Sequence, residues 1–488
     1  MDTTNTSRPA LTDRDRSFTV FGILTAMFLA ALDQSIVAPA MPTIGGDLGN
    51  AQYLPWIVTA YLLAATAVAP LYGRISDTYG RRRTIYWALG LFLLGSLLAA
   101  LSPNIFVLIA ARGVQGLGGG GLFALSQILI GDLLPPRERG RYAAWISGMW
   151  AVAGIAGPLL GGTLAQFYWP LIFWLNLPLG LLAIVVIDGP LRRLTVATHK
   201  HRLDIPGSIL LIVATTALLL LLNWGGSTYA WASLQIIGLG VVSLVFWIAF
   251  GVRITTAAEP LISLEVLTNR IVLANCFAMF LVAGANIGLA VFLPVYLQGH
   301  FGLSPALSGY GLLGLLLGAV SGSTVGGRLT MRIVRVKRIA AIGATISGLG
   351  IILLGLIVYT DSLPLLEGLL LVLGFGMGLT FPVTTVSTQN AVDQKHLGVA
   401  TGVLTFLRSL GSALGVAVLG AVALGYALPL GAEAGALQVA HIADPGPFAV
   451  LDYVMGAMML GAAVLYVVTP HKALRGRAEA TVAHAAEG

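Results

Sequence analysis

Asp33 and Arg112 are charged residues lying deep inside long apolar runs. An ionised group in a hydrocarbon layer is costly unless it is paired or hydrated, so each is a functional candidate by default. Burial raises the proton affinity of a carboxyl in general, and a neighbouring guanidinium lowers it; a carboxyl poised between the two can take up and release a proton. That is proton-coupling chemistry. The competing account is a static ion pair locking two helices together. At a helical rise of about 1.5 Å per residue, Asp33 lies roughly 13 Å before Pro42 and Arg112 roughly 10 Å from the Pro103 turn, so the two can share a depth. Gln115 and Asn176 are placed to orient that pair. Together with Gln34, Asn286, Gln298 and Arg408 they form the candidate substrate cavity, although Arg408 could equally bond backbone carbonyls. Glu367 and Asp452 lie near the ends of their runs and are expected to reach water.

The elements that carry these residues follow from composition. Hydrophobic residues make up 57% of the 488 and charged residues 10%, where a soluble domain has about a quarter charged. Apolar runs of about 20 residues, the length needed to cross a bilayer, recur from end to end. The expected fold is an all-α membrane protein of fourteen transmembrane helices. Residues 143–187 carry no charge and are too long for one span, so a hairpin is expected at Tyr168-Trp169-Pro170. The first run is read as an uncleaved span rather than a signal peptide. With both termini cytoplasmic, 25 of the 27 basic residues fall on the cytoplasmic side and the other two, Arg112 and Arg408, lie within helices, as the positive-inside rule requires.

Gly73-Arg74-Ile75-Ser76 and Gly327-Arg328-Leu329-Thr330 each open a basic stretch at equivalent places, which marks a duplication. The resulting organisation is a cytoplasmic tail 1–17, a six-helix bundle 18–187, a loop 188–204, an inserted helix pair 205–252, a loop 253–270, a second six-helix bundle 271–468 and a cytoplasmic tail 469–488. The two bundles are expected to be pseudo-symmetric and to rock about a central site.

Four motifs, in order and at matching depths, carry a family resemblance: Leu32-Asp33-Gln34-Ser35-Ile36-Val37 through Pro42, Gly73 to Arg83, Arg112 to Gly118, and Gly157 to Gly162. Phe173 to Gly180 and Phe406 to Gly420 add to them. The chain resembles the major facilitator superfamily, specifically the fourteen-span drug:H+ antiporters of QacA and EmrB type. Two departures are that the second basic loop lacks an acid matching Asp77 and that Ala153 precedes Gly157 by four residues. The resemblance implies proton coupling at Asp33 and Arg112, a cytoplasmic gate of Gly73, Asp77, Gly80 and Arg81, and an antiporter helix-packing motif of Gly154, Gly157, Pro158, Gly161 and Gly162. Glycines on one helix face promote close packing in any membrane protein.

Several classes are excluded. The net charge of +7 sits in short loops rather than on one folded face, which argues against nucleic acid. The glycine run 116–121 lacks the preceding strand of a dinucleotide site. There is no Walker-type sequence, and His199 and His201, without acids or cysteines beside them, read as solvated loop residues rather than a metal site. The single Cys276 allows no intrachain disulfide. No catalytic residue and no cofactor are expected, the proton gradient being the energy source. The expected function is proton-driven export of lipophilic small molecules, monovalent cationic or neutral because span 10 carries no acid, by a monomer in the inner membrane among its lipids. Export of an endogenous metabolite, lipid or siderophore is the second reading, and a non-transporting sensor or scaffold a distant third.

Overall fold

The structure is a computed structural model that describes residues 13–50, 53–134, 136–193, 204–226, 228–303, 307–308, 311–333, 335–393, 396–426 and 444–474. His199, His201 and most of both tails fall outside the described residues.

The first half of the chain opens with α1 (Asp13–Ile36), a 3-10 turn (Ala38–Ala40) and α2 (Met41–Leu48), which together form one span. It continues with α3 (Pro55–Tyr79), α4 (Arg81–Ala100), α5 (Ile105–Leu133), α6 (Pro136–Tyr168), α7 (Leu171–Trp174) and α8 (Asn176–Arg193). Then come α9 (Ile205–Trp224), α10 (Leu234–Thr256), the short α11 (Leu264–Thr268), α12 (Arg270–Phe301), α13 (Leu313–Arg332), α14 (Lys337–Leu356), α15 (Leu363–Ala391), α16 (Leu397–Gly425) and α17 (Gly446–Val468). Among the described residues, 13 spans are long and apolar enough to cross a membrane. Glycine- and serine-rich α13 is also 20 residues long but is not one of them. The fold is therefore all-helical and multi-pass, with 13 spans by composition and α13 as a further long helix.

Helix breaks occur where the local chemistry demands them. Pro39 has no N–H for the Ser35 carbonyl and its ring crowds that turn, so α1 ends at Ile36, one turn past Asp33. Pro178 does the same to the Trp174 carbonyl, which separates α7 from α8 and leaves Asn176 at the start of α8. The expected hairpin at residues 168–170 is present between α6 and α7. At the other breaks, Asn104 caps α5 by accepting from the Val107 N–H at 3.0 Å.

One boundary differs from expectation. The Gly73 to Arg83 stretch, read from its charges as the link between two spans, turns at the single residue Gly80, whose φ of 88° a side chain would resist. Charge placed the boundary too early. Arg74 and Asp77 are buried against partners, so the helix continues through them to Tyr79.

Apolar packing divides along the chain. One core draws on residues 20–187 with Leu397, and another only on residues 278–474. A third, around Leu211, Phe250 and Phe406, packs the α9–α10 pair against α3 and α16. Between the flanking sets, α3 packs on α16 and α6 packs on α13.

Candidate functional site

Asp33 and Arg112 meet as the depth count allows. Arg112 Nη1 donates to Asp33 Oδ2 at 2.6 Å, and the two are 0% and 1% exposed. Gln115 Nε2 and Asn176 Nδ2 each donate to Asp33 Oδ1 at 2.8 Å, so both carboxylate oxygens are taken. Ser96 Oγ from α4 accepts from the same two amides at 2.6 and 3.0 Å. Arg112 is held further by the Gln115 Oε1 at 2.6 Å and the Ile57 carbonyl at 3.1 Å. Its guanidinium lies 4.4 Å from the Tyr61 ring centre and 5.8 Å from that of Phe173. Six elements, α1, α3, α4, α5, α7 and α8, thus converge on one dry ion pair.

The glycine run in α5 lets this happen. Side chains at Gly116 and Gly120 would strike the α3 backbone at Tyr61 and Ala65, and one at Gly118 would strike α4 at Ala88 and Phe92. Close packing, not nucleotide binding, explains the run.

At the end of the bundle carrying residues 73–83, called here the basic end, Arg81 pairs with Asp77 and, through Nε, with Asp132 Oδ2 at 2.7 Å. Gly73 lies against the Gly398 carbonyl at the start of α16, so a Cβ there would overlap backbone. The Asp77 carboxylate sits beside Gly398 as well, where the positive end of the α16 dipole stabilises a negative charge. Gly80 supplies the turn that presents Arg81. A second tie, missed in the sequence, joins Arg139 of α6 to Gln389 of α15 at 3.0 Å, and Gln389 also donates to the Gln127 carbonyl of α5 at 3.2 Å. Arg74 also pairs at 3.6 Å with Glu259, in the segment that precedes α11. The two halves are locked together at this end.

On α6, Gly157 packs against Ser35 and Gly161 against the Ile36 carbonyl, while Ser35 Oγ donates to the Ala153 carbonyl at 2.8 Å. Residues 153, 157 and 161 are thus the face that meets α1. Gly154 and Gly162 lie off this face, where an added Cβ would meet no neighbouring element within 4 Å, unlike the single packing face the motif suggested, and Pro158 is exposed. Gly157→Ala should lower the melting temperature of the purified protein by several degrees. Gly154→Ala should leave it unchanged or raise it, since Ala favours a helix by up to about 1 kcal/mol. Thermal unfolding in detergent compares the two.

The remaining cavity candidates separate. Gln34 is exposed, Asn286 donates to Met377 Sδ at 3.6 Å, and Gln298 donates to Ser308 Oγ at 2.9 Å. Gln115 and Asn176, fully buried on Asp33, belong to the ion-pair network and not to an open cavity wall. The guanidinium of Arg408 lies 4.2 Å from the ring centre of Phe123 in the opposite half, and Phe123 contacts Trp150. Asp452, expected to reach water, is 7% exposed among Leu293, Leu354, Phe448 and Met455 and makes no hydrogen bond or ion pair among the described residues. Glu367 is partly buried and accepts from the Gly314 N–H at 3.1 Å.

The sequence profile of the Major Facilitator Superfamily matches residues 23–416, which run from α1 into α16 and include every residue of the ion-pair network. The chain belongs to the major facilitator superfamily. Multidrug resistance protein 3 of Bacillus subtilis is 34% identical to it over 423 residues, 86% of this chain and 81% of that one. Multidrug transporter protein MdtP of the same organism is 33% identical over 409 residues, 83% of this chain and 75% of that one. In fold it is similar to the human organic anion transporter MFSD10 (TETRAN), with a TM-score of 0.66 at 17% identity, covering 92% of this chain and 99% of the other. Membership of the superfamily makes this chain a membrane transporter rather than an enzyme.

Within the superfamily member, sequence reasoning missed Ser96, Tyr61, the Ile57 carbonyl, Asp132, Arg139 and Gln389. Arg139 and Asp132 carried a signal, as charges beside a predicted span end. Ser96 and Tyr61 carried none, because only helix packing shows which face they occupy.

Proposed function

We propose that this transporter is a proton-coupled exporter of lipophilic small molecules, of the fourteen-span drug:H+ antiporter type, working by alternating access. The observation that supports it is the sealed network around Asp33. While Asp33 is charged, it balances Arg112; once protonated, it leaves a guanidinium uncompensated in a dry site, a state expensive enough to force rearrangement. The helices that would rearrange include α1, which presses through Ser35 and Ile36 on α6, and α6 packs on α13 of the other half. Proton binding at one carboxyl thereby becomes a change in the interface between the halves.

In this reading both termini and the basic end face the cytoplasm, since the proposed outer loops hold no Lys or Arg. Residues 18–187 and 271–468 are the two pseudo-symmetric bundles, and α9–α10 is the inserted pair. The Arg81–Asp77–Asp132 cluster with Gly73 and Gly80 is the cytoplasmic gate. Substrate enters a central cavity near Gln34, Asn286 and Arg408, with Gln298 toward the outer end. The names of the relatives, one a multidrug resistance protein and the other a multidrug transporter, favour drug-like cargo, monovalent cationic or neutral; the chain acts as a monomer in the cell membrane.

Purified protein in a lightly buffered vesicle suspension should release protons when a transported compound is added. Screening a compound panel with a pH-sensitive dye identifies cargo and coupling together. Transport of a compound with no proton movement would refute the coupling.

A further inference from the structure

At the basic end, α14 and α17 run antiparallel, and between the first turn of α14 and the last turn of α17 lies a cavity of about 600 Å³. Its lining combines Arg335, Lys337, Arg338 and His471 with the apolar surfaces of Ala341, Tyr466 and Val467, and holds no acidic residue among the described residues. Lys337 is fixed in place: its Nζ donates to the Val467 carbonyl at 2.8 Å and the Thr469 carbonyl at 2.6 Å. An ammonium has three donors, so one remains for a ligand. Arg335 and Arg338 are exposed, and neither guanidinium has a partner among the described residues. None of these groups takes part in the Asp33 network or in the gate.

We infer that this cavity binds the headgroup of an anionic phospholipid. A phosphodiester is opposite in charge to two guanidinium forks and an ammonium, and its oxygens accept from their N–H donors. The choice of a lipid over a soluble phosphate rests on what continues from the cavity. Beside its basic groups the lining is apolar, and beyond it Ile342 on α14 and Val464 and Val468 on α17 are exposed, at 57%, 60% and 66%. They are exposed apolar surface on the same two helices that form the cavity, against which an acyl chain can lie. Basic pockets between membrane helices at one membrane face bind acidic lipid headgroups on this principle. The partner is therefore a lipid with a net negative headgroup, and phosphatidylcholine, whose phosphate is balanced by its own ammonium, is a poor match.

The test uses the full chain reconstituted in nanodiscs of equal parts phosphatidylglycerol and phosphatidylcholine, then released for native mass spectrometry. Wild-type protein should retain phosphatidylglycerol. Arg335→Gln with Arg338→Gln should cut the retained fraction at least about tenfold, whereas Arg270→Gln, an exposed cation at the same end, should not. Ile342→Ser with Val464→Ser should also lower retention while leaving the charge untouched. Melting temperatures confirm that each variant is folded. Equal retention of the two lipids, no effect of the double arginine variant, or displacement by excess inorganic phosphate would each overturn the assignment. Because the readout is lipid binding, its failure leaves the proton-coupling proposal untouched.

Discussion

Asp33→Asn should abolish proton-driven efflux in inverted vesicles, down to the level of vesicles lacking the protein. The substitution keeps the side-chain shape but removes the charge that faces Arg112 at 2.6 Å. Leaving one partner of a buried pair uncompensated costs about 3 kcal/mol, so a fall in melting temperature should accompany the loss. That fall alone cannot separate coupling from a structural lock. Asp33→Asn combined with Arg112→Gln does, because removing both charges is close to neutral for stability. The double variant should regain most of the melting temperature and none of the proton-driven transport. Recovery of both together would make the pair a structural lock and nothing more.

Gly73→Ala is expected to hold the basic end open. The added methyl would overlap the Gly398 carbonyl, and because the obstacle is backbone, no rotamer change relieves it. A penalty of about 2 kcal/mol for such overpacking shifts the closed-to-open ratio roughly thirtyfold. Spin labels at exposed Tyr79 on α3 and Arg270 on α12 should report longer distances in the variant than in wild type, and transport should fall at least about tenfold. The native Cys276 is fully buried and will not compete for label. An unchanged distance distribution would remove Gly73 from the gate.

Much of this was legible in the sequence for physical reasons. Apolar runs and loop charge mark membrane helices because the bilayer punishes every exception, and a lone acid such as Asp33 at depth has few tolerable fates. That it can share a depth with Arg112 followed from rise per residue. What escaped depends on rotation about helix axes. Gln115 and Asn176 read both as orienting the Asp33 pair and as lining a cavity, because nothing in one dimension tells a side chain aimed at Asp33 from one aimed at open space. Gly154 and Gly162 were grouped with Gly157 and Gly161, yet residues offset by one on a helix point about 100° apart, and only the 153–157–161 face meets α1. Asp452 looked solvated because distance from a helix end is a poor measure of cover by neighbours. Ser96, one hydroxyl in a run of leucine and alanine, offered no signal until α4 was laid against α5.

The one-residue turn at Gly80 also bears on how the protein is made. A single residue bridges about 3.5 Å, while the hydrocarbon layer is about 30 Å thick, so neither α3 nor α4 can cross without the other. The two must leave the insertion machinery as a paired hairpin. Arg81, Arg82 and Arg83 at its tip then act as one address for both helices. An error in reading that address would invert the pair together, never one helix alone, and would carry Asp77 to the wrong side of the membrane.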